Sequence, residues 1–243
     1  MIALFKKEIS VYFASLIGYM IIGLFLLVNS VILWAGSSKF NIMDYGYASM
    51  EMFFLVSPLL FLLFIPAMSM RVFAEEYNIG TIEVLITKPI SILQIVFAKF
   101  FAVLTVIGFS ILPTIIYVAS IYYLGETIGN LDLASIIGSY IGLILLSSVF
   151  ISISVFSSSL SSNQIVAFIL GIILCVLFYF GFDLLSNLSF LKNLDLVIQK
   201  MGISYHYQDM SKGLIRFSDC IYFISVSFLF LKITEQILLN KGR

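Results

Sequence analysis

Charge is what this sequence has least of. Only 11% of its 243 residues are Asp, Glu, Lys or Arg, against 61% hydrophobic, and the mean hydropathy is +1.13. A soluble domain is roughly 45–50% apolar and about 25% charged. No water-exposed surface can be built from so little polarity, so the bilayer is the solvent. The 13 basic and 13 acidic residues cancel, which excludes the basic excess of a nucleic-acid binder. Cysteine is nearly absent. Cys175 and Cys220 lie in or beside apolar runs and read as small core residues. A single histidine, His206, has no Cys or His neighbour, so no metal site is expected. The Gly-x-x-x-x-Gly-Lys-[Ser/Thr] phosphate loop is missing, as is any Gly-Lys dipeptide. The chain is therefore expected to bind no nucleotide, to need no cofactor and to have no catalytic residues.

What is present is six long apolar segments, at about 17–36, 52–70, 97–123, 134–157, 164–182 and 219–238. About 20 residues cross the hydrocarbon as a helix. No charge at all falls within Ile17–Ala35, Phe53–Met70, Phe100–Leu124, Ala134–Val155, Ile165–Phe182 or Cys220–Leu231. The first run exceeds a signal peptide's apolar region and is expected to stay in the membrane. The reading is an all-α polytopic bundle of six transmembrane helices, a single domain over 1–243.

Ile2, Phe5, Ile9, Tyr12, Phe13 and Leu16 recur at helical spacing, with Lys6, Lys7, Glu8 and Ser10 mostly on the other side. Residues 1–15 thus read as an amphipathic helix lying in the interface. Lys6, Lys7, Arg71, Lys88, Lys99, Lys232, Lys241 and Arg243 cluster on one side of the predicted topology. That bias puts both termini in the cytoplasm, although Lys192, Lys200, Lys212 and Arg216 weaken the count.

The connections differ in kind. Residues 37–51 form a short outer loop, and residues 156–164 read as a tight serine-rich turn. In the outer segment 183–217, Leu184, Leu188, Leu191, Leu194, Ile198 and Met201 mark an amphipathic helix. Pro58, Pro66 and Pro113 are placed to kink helices or free carbonyls. Tyr12, Tyr19, Tyr122, Tyr123 and Tyr222 near span ends read as interfacial anchors. Gly138 and Gly142 form a Gly-x-x-x-Gly that permits close helix approach, within the chain or at a dimer interface.

The most informative stretch is the charged connection 71–91. Gly80 suits a helix stop, Thr81 a new cap with Glu83 in its first turn, and Pro89 a second stop. Ser91 and Gln94 have capping-box spacing for the next span. The pattern is helix, break, short helix, break, helix. It carries Glu75, Glu76 and Glu83, enough order and charge to dock on something outside the membrane.

Arg71, Glu75, Glu76, Gly80, Thr81, Glu83, Leu85, Pro89 and Ile90 occur in the order of the signature that ABC-2-type permeases carry before their third span. The serine-rich stretch Ser157–Gln164 resembles that family's turn between spans four and five. The stretch Ile203–Ile215, with Ser218 and Asp219, resembles its last outer segment. The chain is thus similar to ABC-2-type transporter permeases over nearly its whole length. Within them it most resembles the gliding-motility-associated permeases, and more distantly the copper–nitrous-oxide maturation ones.

The resemblance implies a permease subunit of an ATP-driven exporter in the inner (plasma) membrane. Residues 1–15 would be an elbow helix, and 71–91 would contain a coupling helix seated in a separate cytoplasmic ABC ATPase. Arg71, Glu75, Glu76, Gly80, Thr81, Glu83, Leu85 and Pro89 would form that coupling surface, with Arg71 pairing with an acid or lying at the lipid headgroups. A second copy or a sister permease would complete a dimer. Two other readings stay open: a non-transporting scaffold or assembly factor, and an ion-coupled secondary transporter. The latter usually carries ionisable residues in its span cores, where this sequence has no Asp, Glu, Lys, Arg or His. The substrate is not legible.

Overall fold

The computed structural model describes residues 1–35, 41–42, 49–86, 89–125, 131–186 and 195–241. The predicted outer loop 37–51, the acidic loop near Glu126, Lys88 and Leu188–Leu194 fall wholly or largely outside them. Every regular element among the described residues is helical. In order these are α1 (Ile2–Ala14), α2 (Leu16–Ser30, continued by a π-helical turn, Val31–Ala35), α3 (Glu51–Ser69), α4 (Arg71–Ile79) and α5 (Ile82–Ile86). Then follow α6 (Ile92–Ile111), a 3₁₀ turn at Pro113, α7 (Ile115–Leu124), α8 (Leu133–Leu160) and α9 (Gln164–Val176). After a second π turn come α10 (Phe182–Ser186), α11 (Asp195–Gln199), α12 (Ile203–Met210) and α13 (Phe217–Lys241). Six stretches are long and apolar enough to span a bilayer: 16–35, 51–79, 92–124, 133–160, 164–186 and 217–241.

The fourth span, α8, is the axis. It packs against α3, α6, α9 and α13. Small residues along it, including Gly138, Gly142, Ser147, Ser152 and Ser154, are buried and let neighbours approach. Between helices in lipid there is little hydrophobic drive, so contact and hydrogen bonding must do the sorting. Ser148 bonds Ser227 of α13 at 3.1 Å, and Thr114 bonds Tyr140 at 2.9 Å. The most apolar windows of the second and fourth spans are 67% buried within the chain, but those of the first and fifth only 22% and 17%. The first and fifth spans therefore present most of their surface to lipid or to another chain.

Four expectations change. Ser157, Ser158 and Ser159 are not in a turn but in the last turns of α8, fully buried. Their hydroxyls bond carbonyls, Ser157 to Ser154 O at 2.8 Å and Ser159 to Phe156 O at 2.7 Å. This back-bonding lets serine remain helical in a dry environment, and the turn shrinks to Ser161–Asn163. Second, α1 turns Leu4, Glu8 and Tyr12 inward, while Ile2 and Leu16 are largely exposed. The protein-facing stripe of the elbow is thus one that contains a carboxylate. Third, Tyr12 is a buried residue and not an interfacial anchor. Tyr19 and Tyr123 do lie exposed. Fourth, among the described residues of the outer leucine stripe, Leu184 and Met201 are exposed. The outer helix that docks is α12, through Ile203, Tyr207 and Met210.

The docking of α12 rests on a proline and three glycines. Pro58 has no N–H, so the carbonyl of Phe54 loses its helical partner. The Tyr207 hydroxyl donates to that carbonyl at 2.7 Å. Burial raises the Tyr207 pKa, which keeps the donor proton in place. At the other end, Gly213 has φ +83°, and a Cβ there would collide with the Ser135 backbone. A Cβ on Gly138 would lie 2.6 Å from Gly213 O, and one on Gly142 2.7 Å from Met210 Cβ. The Gly-x-x-x-Gly face is therefore occupied by the chain's own outer segment. Ser135 and Ser139 complete the strap, donating to Lys212 O and Ser211 O at 2.9 and 3.0 Å.

Gly80 also has positive φ but has open space around it. Replacing it by alanine costs only backbone strain, about 1–2 kcal/mol. Gly213→Ala adds a steric collision and is expected to cost roughly 3 kcal/mol or more. Thermal unfolding in detergent checks this: the Gly213 variant should melt well below the Gly80 variant, and equal melting would contradict the strap.

Candidate functional site

The charged connection begins where α3 passes into α4 at Met70. The backbone stays helical, but its hydrogen-bond ladder is opened and filled by side chains from three other helices. The Ser158 hydroxyl sits at the break between α3 and α4. It donates to Met70 O at 2.9 Å and accepts from the amides of Phe73 and Ala74 at 3.0 and 3.2 Å. The Tyr12 hydroxyl of the elbow donates to Met68 O at 3.1 Å. Burial, with Glu8 adding to it, raises the pKa of that phenol, so it remains a donor. Lys99 of α6 donates to Val72 O at 2.7 Å.

Lys99 does more than bond a carbonyl. Its side chain is 1% exposed, and Nζ lies 3.2 Å from Glu8 Oε1 and 2.8 Å from Glu76 Oε1. It also lies 5.2 Å from the Phe73 ring centre. An ammonium has three protons to donate, and here each has an acceptor: one from the elbow and two from α4. Removing a charge this size from water costs several kcal/mol, which only close, fully hydrogen-bonded counter-ions offset. The triad thus fixes α1, α4 and α6 to one another.

The remaining sequence-predicted residues fan out from this anchor. The end of α4 is a Schellman motif, with Thr81 N bonded to Glu76 O at 3.0 Å and Gly80 N to Tyr77 O at 3.3 Å. Gly80 supplies the left-handed turn, with φ 77° and ψ 13°. In α5, Ile82 and Leu85 are buried, while Thr81, Glu83 and Pro89 are exposed. Ser91 then caps α6, its hydroxyl accepting from Gln94 N at 3.3 Å. Arg71 makes no ion pair with any described acid, and its Nε has no partner among the described residues. Glu75 is half-exposed on the same helix.

Glu76 is thus only half free for a further contact, through Oε2. Its Oε1 is committed to Lys99. Lys99 itself, counted among the charges facing water, is sealed inside. Lys241 holds the same end from another side. Its Nζ donates to Ser159 O and Leu160 O at 2.9 and 3.3 Å and lies 4.3 Å from the Tyr77 ring centre. A cation on the last carbonyls of a helix is favoured by the helix dipole.

The chain matches the family model described as ABC-2 family transporter protein over residues 3–225. It belongs to that family. No curated protein matches it closely enough for comparison. In this ABC-2 membrane protein, therefore, the connection between the second and third spans is a short helix carried on a locked base. A cavity of about 550 Å³ opens beside that base, between α1 and α4.

Lys99→Met should strand two buried carboxylates and destabilise the ABC-2 protein by about 3–5 kcal/mol. Adding Glu8→Gln and Glu76→Gln to it removes the stranded charges and should restore most of the loss. Unfolding of the single and triple variants checks this. A triple variant as unstable as the single one would contradict the charge-triad account.

Proposed function

We propose that this protein is the transmembrane subunit of an ATP-driven exporter, moved by a separate cytoplasmic ABC ATPase that docks on α5. The single observation that carries the reading is the position of α5. It stands outside the bundle, gripped from beneath by Ile82 and Leu85, and offers Thr81, Glu83 and Pro89 outward. A lever needs a free end and a fixed base, and the Lys99 triad supplies the base. Family membership supports the reading, because such membrane proteins have no nucleotide site of their own and work with an ATPase.

In this reading both termini and α5 face the cytoplasm, and the protein sits in the inner membrane. Two copies, or one copy with a sister permease, flank the export path. The lipid-facing surfaces of the first and fifth spans leave room for that second chain. Docking falls chiefly to Glu83 against basic groups of the ATPase. Glu76 acts indirectly, by holding α4 to α6. Within the family we place the chain with the gliding-motility-associated permeases on overall sequence resemblance, since the motif from Arg71 to Pro89 is common to ABC-2 permeases.

The test is co-purification with its partner ABC ATPase. Glu83→Lys should reduce the ATPase recovered with the permease by about tenfold, the loss of one charge-assisted contact plus new repulsion. Its melting temperature should stay near that of the wild type. Undiminished recovery would remove α5 as the docking element. Full assembly and ATPase stimulation without any cargo movement in vesicles would favour the scaffold reading instead.

A further inference from the structure

The cavity beside the triad is lined by three cations and three carboxylates, yet two of their polar atoms find no partner among the described residues. It is bounded by the elbow (Glu8, Val11, Tyr12), by the ends of the first and second spans (Ile17, Met68), and by α4. Its depth is therefore the level at which two apolar spans leave the hydrocarbon. Two polar groups lining it are buried and unpartnered among the described residues: Arg71 Nε and Glu76 Oε2. Glu75 lines the same cavity without an ion pair among the described residues, and Lys7 stands at its rim with a 3.7 Å contact to Glu8. A guanidinium Nε–H and a carboxylate oxygen, both drawn out of water with nothing to bond, are each costly.

We propose that this cavity binds a phospholipid whose headgroup is a zwitterion ending in a primary ammonium. The phosphodiester seats on the Arg71 guanidinium, whose planar fork matches two phosphate oxygens. The ammonium donates to Glu76 Oε2 and Glu75. A choline headgroup carries the same charge but no N–H donor, so it leaves Glu76 Oε2 unbonded. A purely anionic headgroup adds a net charge to a lining in which Lys7, Arg71 and Lys99 already balance Glu8, Glu75 and Glu76, whereas a zwitterion adds none. The apolar wall of Val11, Ile17 and Met68 receives the glycerol and upper acyl carbons. The exposed face of the elbow mixes apolar Ile2 and Val11 with Lys6 and Lys7, the composition of an interfacial helix. About 550 Å³ lies within the range of roughly 300–1,000 Å³ usual for small-ligand sites. The inference does not depend on the docking role of α5.

The experiment is native mass spectrometry of the full chain, purified in detergent and incubated with phosphatidylethanolamine, phosphatidylcholine or phosphatidylglycerol of identical acyl chains. The wild type should retain phosphatidylethanolamine at least about tenfold over phosphatidylcholine, the worth of one hydrogen bond to a charged group. Arg71→Gln should lose retention of all three lipids. Glu75→Gln should shift retention toward phosphatidylglycerol. Melting curves taken alongside separate loss of the site from loss of fold. Should Arg71→Gln not fold, Arg71→Lys keeps the charge without the fork, and its retention should still fall. Equal retention of the three lipids by the wild type would overturn the proposal. So would unchanged phosphatidylethanolamine retention in folded Arg71 and Glu75 variants, or displacement of the lipid by soluble glycerophosphoethanolamine alone, since the apolar wall would then contribute nothing.

Discussion

One ammonium group, sealed in the foot of the third span, joins three elements that the sequence keeps far apart. Lys99 Nζ meets Glu8 of the elbow and Glu76 and the Val72 carbonyl of α4. In water such contacts are nearly neutral in free energy. Out of water the attraction is large and so is the cost of breaking any one of them. The elbow, the base of the charged connection and the third span are thereby made one body. Force applied to α5 reaches the third span through that joint, because α4 cannot tilt without exposing an unpaired charge.

The same economy governs the backbone. A helix in lipid rarely leaves carbonyls or amides open, yet this chain opens its second span near both ends. At Pro58 the freed Phe54 carbonyl is taken by Tyr207 from the outer segment. At Met70 the opened ladder is filled by Ser158, Tyr12 and Lys99. Each opening is a place where another helix is attached, one at each end of the span. The second span is thus clamped at one end to the outer segment and at the other to the elbow and the third span.

Much of this was legible in the residues. The six apolar runs and the charge-free cores fix a helical bundle, because hydrocarbon admits little else. Gly80, Pro89 and Ser91 mark where helices stop and start, since left-handed geometry, a missing N–H and a capping hydroxyl are local properties. The joint itself was not legible. Glu8 and Lys99 are 91 residues apart, and no period links them. Helical spacing put Glu8 on the polar side because it assumes a carboxylate faces water, and a buried ammonium reverses that assumption. One signal was present: Lys99 is an isolated charge between the apolar stretches Ile95–Ala98 and Phe100–Leu124, and such residues tend to have buried partners. Ser158 misled for a related reason. Serine runs suggest turns, but serine back-bonds within helices when no water is available.

The account's central claim is that elbow and charged connection move as one body. Spin labels at Ile2 and Ile79, both exposed, give the distance between α1 and α4 by electron–electron resonance in the assembled transporter. The claim predicts one narrow distance, the same without nucleotide and with ATP trapped, which broadens in a Lys99→Met variant. A wild-type distance that shifts between the two nucleotide states would contradict it.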